Sequence, residues 1–414
     1  MRNPIVLLLL LAAVLSAEWY AYQATRTLTQ HLGEGPRRAW AWGYWLITAA
    51  VWGLALWSGP TRQSGNTLLK SRLISLLLLV LVTKLVMLLP LLLEDLTRLG
   101  RWALGTAARP AGAPGVAVPR SEFLAKVALG LGAIPFVALL WGVVRGATDY
   151  QVRRVVLKYP NLPPAFDGFK VLQISDLHTG SFTSTEPLQR AVRFINAQKA
   201  DLILMTGDLV NNLATEVEPH IPALAGIKSE LPIFSSLGNH DYGDYVQEFR
   251  DNRALWQANL ERLMQNHAKI GWTLLNDTSH TIERGGDKIA VLGIQNSSSH
   301  LNFHTYGNLP KAHAASGDAP FKILLSHDPS YWESHILKYP DIDLTLSGHT
   351  HGMQFGVNLP FFKWSPVQYA YKQWAGLYTQ GTQKLYVNVG LGFLGYPGRV
   401  GFLPEITVFE LRRA

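Results

Sequence analysis

Along the 414 residues, apolar positions follow two different rules. Up to about residue 150 they form long unbroken runs. Four of these are long enough, as helices, to cross a hydrocarbon core: residues 4–22, 40–57, 73–93 and 123–144. Beyond that point the runs shorten and are bounded by Gly, Pro, Asn and Asp. This pattern predicts strands at 152–158, 169–175, 202–206, 233–237, 272–275, 280–283, 288–294, 321–325 and 342–346, then a strand-rich tail over 376–412. Helical spacing recurs at 186–198, where Pro187 suits a first turn, at 216–229, and at 244–268. In the last of these, Val246, Phe249, Leu255, Leu260, Leu263 and Met264 supply the apolar face. Short strands and helices alternate first and strands dominate later, which predicts two packed sheets flanked by helices. The expected domains are 1–150, a bundle of about four transmembrane helices, and 151–414, an α/β unit.

The first run reads as an uncleaved helix. Leu15-Ser16-Ala17 is a poor cleavage site, and the apolar stretch continues through Trp19 and Tyr20. The second run is bounded by tryptophans (Trp40, Trp42, Trp45, Trp52, Trp57), as expected of an aromatic belt at the headgroups. Lys84 lies mid-span in the third run, close to Pro90. An amine in lipid is costly, so it must face another helix, face water, or snorkel. Residues 106–119, rich in Ala, Gly and Pro, read as a loop. The basic residues flanking the spans divide eight against seven, so the positive-inside rule does not orient the chain. The cytoplasmic face of a bacterial inner membrane is the working expectation for the α/β unit.

Charge follows the same division. Residues 1–150 hold 14 of the 37 Lys and Arg but only 6 of the 29 Asp and Glu. The remainder balances at 23 against 23, so the basic excess belongs to the membrane part, which argues against a nucleic-acid partner. There is no cysteine, which excludes disulfides, thiolate metal sites and Cys nucleophiles.

Five short segments of the α/β unit follow apolar strands and carry metal-binding side chains. They are Asp176-Leu177-His178, Gly207-Asp208, Gly238-Asn239-His240-Asp241, His327, and Gly348-His349-Thr350-His351. Two metal ions near one another relieve the resistance of a phosphoester anion to attack, by holding its oxygens and lowering the pKa of a shared water. Two close cations need an anionic ligand that touches both, and Asp208 is the candidate. Mixed oxygen and imidazole donors suit borderline divalent ions. His240, directly after Asn239, cannot easily reach the same ion and is free to act on substrate, with Asp241 expected to hold its ring in one tautomer. Any one segment alone is a plausible turn; five in order are hard to obtain by accident. His31, His220, His267, His280, His300, His304, His313 and His335 lack such partners and are expected to be solvated or structural, with His300 or His304 available to line a cleft.

On these segments the chain resembles the calcineurin-like metallophosphoesterase superfamily over about residues 165–412, and within it the membrane-associated bacterial branch of the YkuE and YaeI type. Ala375-Gly376-Leu377-Tyr378, Leu385-Tyr386-Val387, Gly390-Leu391-Gly392 and Pro404-Glu405-Ile406 support the resemblance. It implies a four-layer α/β/β/α sandwich. It implies one metal held by Asp176, His178, Asp208 and His351 and a second by Asp208, Asn239, His327 and His349, with Mn²⁺ the expected ion and Fe or Zn as alternatives. His240 would bind the phosphate or protonate the leaving group, with Asp241 behind it. The implied activity is hydrolysis of a phosphodiester or pyrophosphate, with a UDP-2,3-diacylglucosamine pyrophosphatase-like hydrolase as an alternative and a non-catalytic membrane scaffold or sensor as the competing class. The implied partners are the lipid bilayer and a phosphoester substrate, lipid-linked as one option; oligomeric state is not legible. Residues 359–374 (Phe361, Phe362, Trp364, Tyr369, Tyr371 and Trp374, with Lys363 and Lys372) read equally as an aromatic flap dipping into the bilayer interface and as a loop packed on the sheet.

Overall fold

All four long apolar runs are helical: α1 Pro4–Thr29, α2 Glu34–Ser58, α3 Thr67–Ala107 and α4 Glu122–Val144. The structure, a computed structural model, describes residues 4–58, 67–107, 120–300 and 303–414. It divides into two units, Met1–Trp141 and Gly142–Ala414. Among the described residues, two helices are long and apolar enough to cross a membrane, Ser75–Gly105 and Glu122–Thr148. The expected loop at 106–119 lies outside the described residues, apart from Thr106 and Ala107, which close α3.

Lys84 does face other helices. Its Nζ donates to the buried Glu18 carboxylate of α1 and, at 3.2 Å, to Thr48 Oγ1 of α2. Glu18 also accepts from Trp52 Nε1 at 2.9 Å and from Tyr44 OH at 3.3 Å. One ion pair therefore ties three helices together, with further hydrogen bonds to both carboxylate oxygens. Trp52 turns inward to serve it instead of joining an aromatic belt, whereas Trp40 and Trp42 stay exposed. Removing one side of a buried pair costs roughly 3–5 kcal/mol. Lys84→Met should accordingly lower the thermal unfolding temperature of the full chain in detergent, and adding Glu18→Gln should recover most of the loss. An unchanged melting curve for the single variant would show that the pair is solvated.

The second unit holds strands β1 Gln151–Tyr159, β2 Lys170–Ile174, β3 Leu202–Thr206, β4 Ile233–Ser236, β5 Trp272–Leu274, β6 Thr278–Arg284, β7 Asp287–Gly293, β8 Lys322–Leu325, β9 Leu344–Ser347, β10 Val357–Leu359, β11 Phe362–Trp364, β12 Gly376–Gln380, β13 Gln383–Val387 and β14 Glu405–Arg413. Its α-helices are α5 Glu186–Asn196, α6 Ile221–Leu224, α7 Gln247–Asp251, α8 Arg253–Ile270, α9 Leu309–Ala315 and α10 Ser330–Ser334. One sheet has the order β1-β14-β2-β3-β4-β5, the other β12-β13-β9-β8-β7-β6, and β10-β11 is a separate hairpin. β2 through β5 run parallel, as do β7, β8, β9 and β13.

Successive residues of a strand point to opposite faces. In β2 and β3, Val171, Leu202 and Leu204 enter the core between the sheets with Ile289, Val291, Ile323 and Leu344. Their neighbours Leu172, Ile174, Ile203 and Met205 face outward and pack on Leu188, Val192 and Ile195 of α5 and Leu260 and Leu263 of α8. On the outer side of the second sheet, Ala290, Leu292 and Leu324 meet Leu309, Ala312, Tyr331 and Trp332 of α9 and α10. Strands buried on both faces read as unbroken apolar runs, which is why the sequence displays them so clearly. The result is the expected α/β/β/α sandwich.

Two helical expectations need correction. Over 216–229 only single turns form, a 3₁₀ turn Glu218–His220 and α6, because Pro219 and Pro222 each remove an amide donor. The helix expected over 244–268 is interrupted at Asn252 (φ −134°, ψ 98°), whose side chain accepts from the amides of Ala254 and Leu255 and starts α8 afresh.

Candidate metal centre

The predicted ligands sit just beyond the C-terminal ends of five strands: β2, β3 and β4 from one sheet, β8 and β9 from the other. The backbone there is tightly bent. Asp176, His178, Asp208, His349 and His351 all have φ between 47° and 72°. Left-handed non-glycine residues are costly and persist only where their surroundings dictate them, so the strain marks these loops as built for their side chains. Gly348 allows the β9 loop to reach Asp176: a Cβ there would lie 2.1 Å from Asp176 Oδ2.

The side chains converge in two groups, Asp176 with His178 and His351, all buried, and buried Asp208 and His327 with half-buried His349. In the first, His178 Nε2 lies 3.0 Å from His351 Nε2, and His351 Nε2 lies 3.3 Å from Asp176 Oδ1. In the second, Asn239 Oδ1 lies 3.1 Å from His327 Nε2 and 2.7 Å from His349 Nδ1. Asp208 stands between them, with Oδ2 at 3.6 Å from His178 Nε2 and 3.2 Å from His327 Nε2.

Burial opposes charge on all of these groups, and their mutual interactions decide the outcome. Burial works against ionisation of Asp208, but His327, His240 and His178 hold its carboxyl well below the usual range. His327 is likewise penalised by burial, yet Asp208 lifts it to about 10. Burial pushes Asp176 up to about 7, opposed by His327 and reinforced by the Asp208 charge. It lowers His178 to about 3 and His349 to about 4. It also holds His351 well below its usual value, with His178 and the Arg399 guanidinium adding to the effect. At neutral pH, His178, His349 and His351 are thus neutral rings with lone pairs to offer beside an ionised Asp208. Two imidazole nitrogens 3.0 Å apart and flanked by carboxylates are a donor set that fits borderline divalent cations.

His240 lies at the edge of the cluster, half-buried, with its ring centroid 5.0 Å from that of His178. Its backbone N–H donates to Asp208 Oδ1 at 2.8 Å. The structure corrects the role expected of Asp241. The His240 Nδ1 is paired with the Asn211 carbonyl at 2.7 Å, not with Asp241. The Asp241 carboxylate is instead consumed by backbone amides: Asp208 and Gly238 donate to Oδ2 at 2.9 Å, and Leu209 and Val210 to Oδ1 at 2.8 and 3.3 Å. Asp241 thereby ties the loop after β3 to the loop after β4.

Further residues join the site. Asn211 Oδ1 lies 3.1 Å from His178 Nδ1, Tyr371 OH lies 2.7 Å from His349 Nε2, and the buried Arg399 reaches His351 Nδ1 at 3.0 Å. Asn211 Oδ1 accepts the His178 Nδ1–H and so orients that ring, whereas the Arg399 guanidinium donates to His351 Nδ1. A polar residue directly after the apolar pair Leu209-Val210 was the available sign for Asn211; Tyr371 was visible only as part of an aromatic run, and Arg399 had no local signal. Of the remaining histidines, His300 packs on Tyr371 at 4.4 Å and His304 lines a pocket with Asn239, whereas His313 pairs with Asp341 and His267 is a core residue beside Ser235.

Residues 1–147 match the family model described as "Probable Calcineurin-like phosphoesterase, transmembrane domain", and residues 169–353 match the calcineurin-like phosphoesterase model. The metallophosphoesterase YkuE of Bacillus subtilis is 33% identical over 263 residues, 62% of this chain and 83% of that protein. The transmembrane protein with metallophosphoesterase domain of Danio rerio is 28% identical over 287 residues, 68% of this chain and 62% of that protein. The phosphodiesterase YaeI of Escherichia coli is 27% identical over 244 residues, 59% of this chain and 82% of that protein. A chain that matches this family model over residues 169–353 and is 33% identical to YkuE over 83% of that protein belongs to the calcineurin-like metallophosphoesterase family.

Proposed function

We propose that the chain is a membrane-anchored phosphohydrolase that cleaves a phosphodiester or pyrophosphate of a lipid or cell-envelope precursor, using two divalent cations of which Mn²⁺ is the expected ion. The reading of the reaction rests on one observation, the placement of Asp208 Oδ2 between the two donor groups. Asp176, His178, Asp208 and His351 would hold one cation, and Asp208, Asn239, His327 and His349 the other. When bound, such a pair holds the phosphate oxygens, stabilises the developing charge and lowers the pKa of a water beside phosphorus. The protein's own part is positional. His240 donates its Nδ1–H to the Asn211 carbonyl, which leaves Nε2 as the nitrogen that, in the imidazolium form of the ring, hands a proton to the leaving oxygen. Asp241, through its four amide bonds, keeps the Asp208 and Asn239 loops aligned. The name of YaeI, a phosphodiesterase, supports the diester reading. The helical unit would anchor the protein in the bacterial inner membrane with the catalytic unit on the cytoplasmic face. UDP-2,3-diacylglucosamine remains an alternative substrate of the same reaction class.

The lipid part of the proposal is supported by the segment after His351. Half of it is core: Trp374 is buried against Phe402. The other half is the β10-β11 hairpin, whose tip presents Leu359, Phe361 and Phe362 to solvent, Phe361 at 86% exposure. Exposed aromatic residues beside a hydrolytic centre suit contact with the headgroup and acyl boundary. Phe361→Ser with Phe362→Ser should lower hydrolysis of a phospholipid diester in vesicles roughly tenfold more than hydrolysis of a soluble chromogenic diester. Equal loss on both substrates rejects the interfacial role.

A further inference from the structure

A pocket of about 460 Å³ opens beside Asn239. That asparagine faces two ways: Oδ1 looks toward His327 and His349, while Nδ2 donates to Tyr245 OH at 2.7 Å. The Tyr245 ring packs 4.6 Å from the His240 ring, and Tyr245 also lines the pocket. The pocket therefore begins where His240 would release a leaving group.

Three features of the lining restrict what fits. Tyr245, Phe249 and Phe303 supply aromatic surface. Arg250 and Arg253, placed on either side of the Asn252 break between α7 and α8, supply two exposed guanidinium groups, and neither forms an ion pair among the described residues. Asp244, the acid in the lining, is already committed to Trp256 Nε1 at 3.0 Å and Tyr306 OH at 2.8 Å. The third feature is Asn296, 1% exposed. Its Nδ2 donates to the His304 carbonyl, while its Oδ1 is buried with no hydrogen-bond partner among the described residues. An unpaired buried acceptor is costly and asks for a donor. Arg250 Nε donates to the Asp244 carbonyl at 2.7 Å and the Arg253 guanidinium lies 3.5 Å over the Trp256 ring, so each still has its outer N–H groups to offer. An acyl chain would cover the aromatic side chains but use neither these groups nor Asn296. A bare phosphate would use the arginines alone. A flat ring that carries an N–H and a second anionic group uses all three, since rings stack on aromatic faces and guanidinium groups bind phosphate in pairs of hydrogen bonds.

We propose that this pocket holds the part of the substrate beyond the scissile phosphorus and that this part is a nucleotide, with its base against Phe249 and Phe303, an N–H of the base on Asn296 Oδ1, and its remaining phosphate on Arg250 and Arg253. The assignment rests on the neighbouring centre being the hydrolytic site, but binding to the pocket is measurable with that centre silenced. The full chain in detergent, with chelator present, is titrated calorimetrically with adenosine 3′,5′-bisphosphate, with inositol 1,4-bisphosphate and with inorganic phosphate. The adenosine compound should bind roughly tenfold tighter than either of the others, and Arg250→Gln with Arg253→Gln should weaken it roughly tenfold. Both arginines are exposed, so the variant is expected to fold, and its melting curve checks this. Equal affinity for the two bisphosphates, or an affinity indifferent to the arginine substitutions, would overturn the nucleotide assignment. Nucleotide binding in a protein that hydrolyses no phosphodiester would uphold the pocket and remove only the reading of the adjacent centre.

Discussion

Asp208→Asn should strip the centre of metal and of activity together, with phosphodiester turnover falling roughly 10³-fold or more. The substitution keeps the shape of the side chain and an oxygen for the His240 N–H that now donates at 2.8 Å. It removes the negative charge that lies 3.2 Å from His327 and 3.6 Å from His178 and that lifts His327 to about 10. Without that charge two cations would be held across a neutral amide, and with its oxygen kept on the His240 N–H the atom between the two donor groups would be a nitrogen with no lone pair to give. The loss is read by elemental analysis of the purified variant alongside turnover of a chromogenic diester. Full metal content with wild-type turnover would remove Asp208 from the bridging position.

The second large effect is expected at His240, and it differs in kind. His240→Ala should retain metal, because the ring belongs to neither donor group. Proton donation to a leaving oxygen contributes roughly 10²–10⁴-fold where that oxygen is basic, so an alkyl diester should lose about that much in kcat. A p-nitrophenyl diester, whose leaving group departs without a proton, should lose far less. Equal losses on the two esters would assign His240 to phosphate binding instead of acid catalysis. Loss of metal in the variant would place it among the ligands.

Much of the catalytic fold was legible because β2, β3, β8 and β9 are buried on both faces and so appear as apolar runs that stop where the ligands begin. The candidate ligands stand out because each follows such a run: Asp176 and His178 after β2, Asp208 after β3, Asn239 after β4, His327 after β8, and His349 and His351 after β9. What escaped depends on partners distant in sequence. Asp241 follows His240 directly, which suggested a pair, yet its carboxylate is turned to the amides of the β3 loop, and only the folded approach of β3 to β4 puts them within reach. The Asn211 carbonyl, the Tyr371 hydroxyl and Arg399 reach ligand or catalytic rings from loops that carry no periodic signal. The Asn252 break was hidden for a different reason. An asparagine inside an amphipathic stretch is compatible with a continuous helix until its side chain turns back to cap the next one. That break gives the pocket its paired arginines, so a local rule missed in the sequence proves central to the substrate proposal.

The central claim, a hydrolytic centre of two cations sharing Asp208, is tested most directly by metal titration of the purified chain. Protein stripped by chelation should be inactive on bis(p-nitrophenyl) phosphate. It should take up two equivalents of Mn²⁺ per chain by calorimetry, with turnover appearing as the second site fills. Saturation at a single equivalent, or turnover that survives exhaustive chelation, would contradict the account.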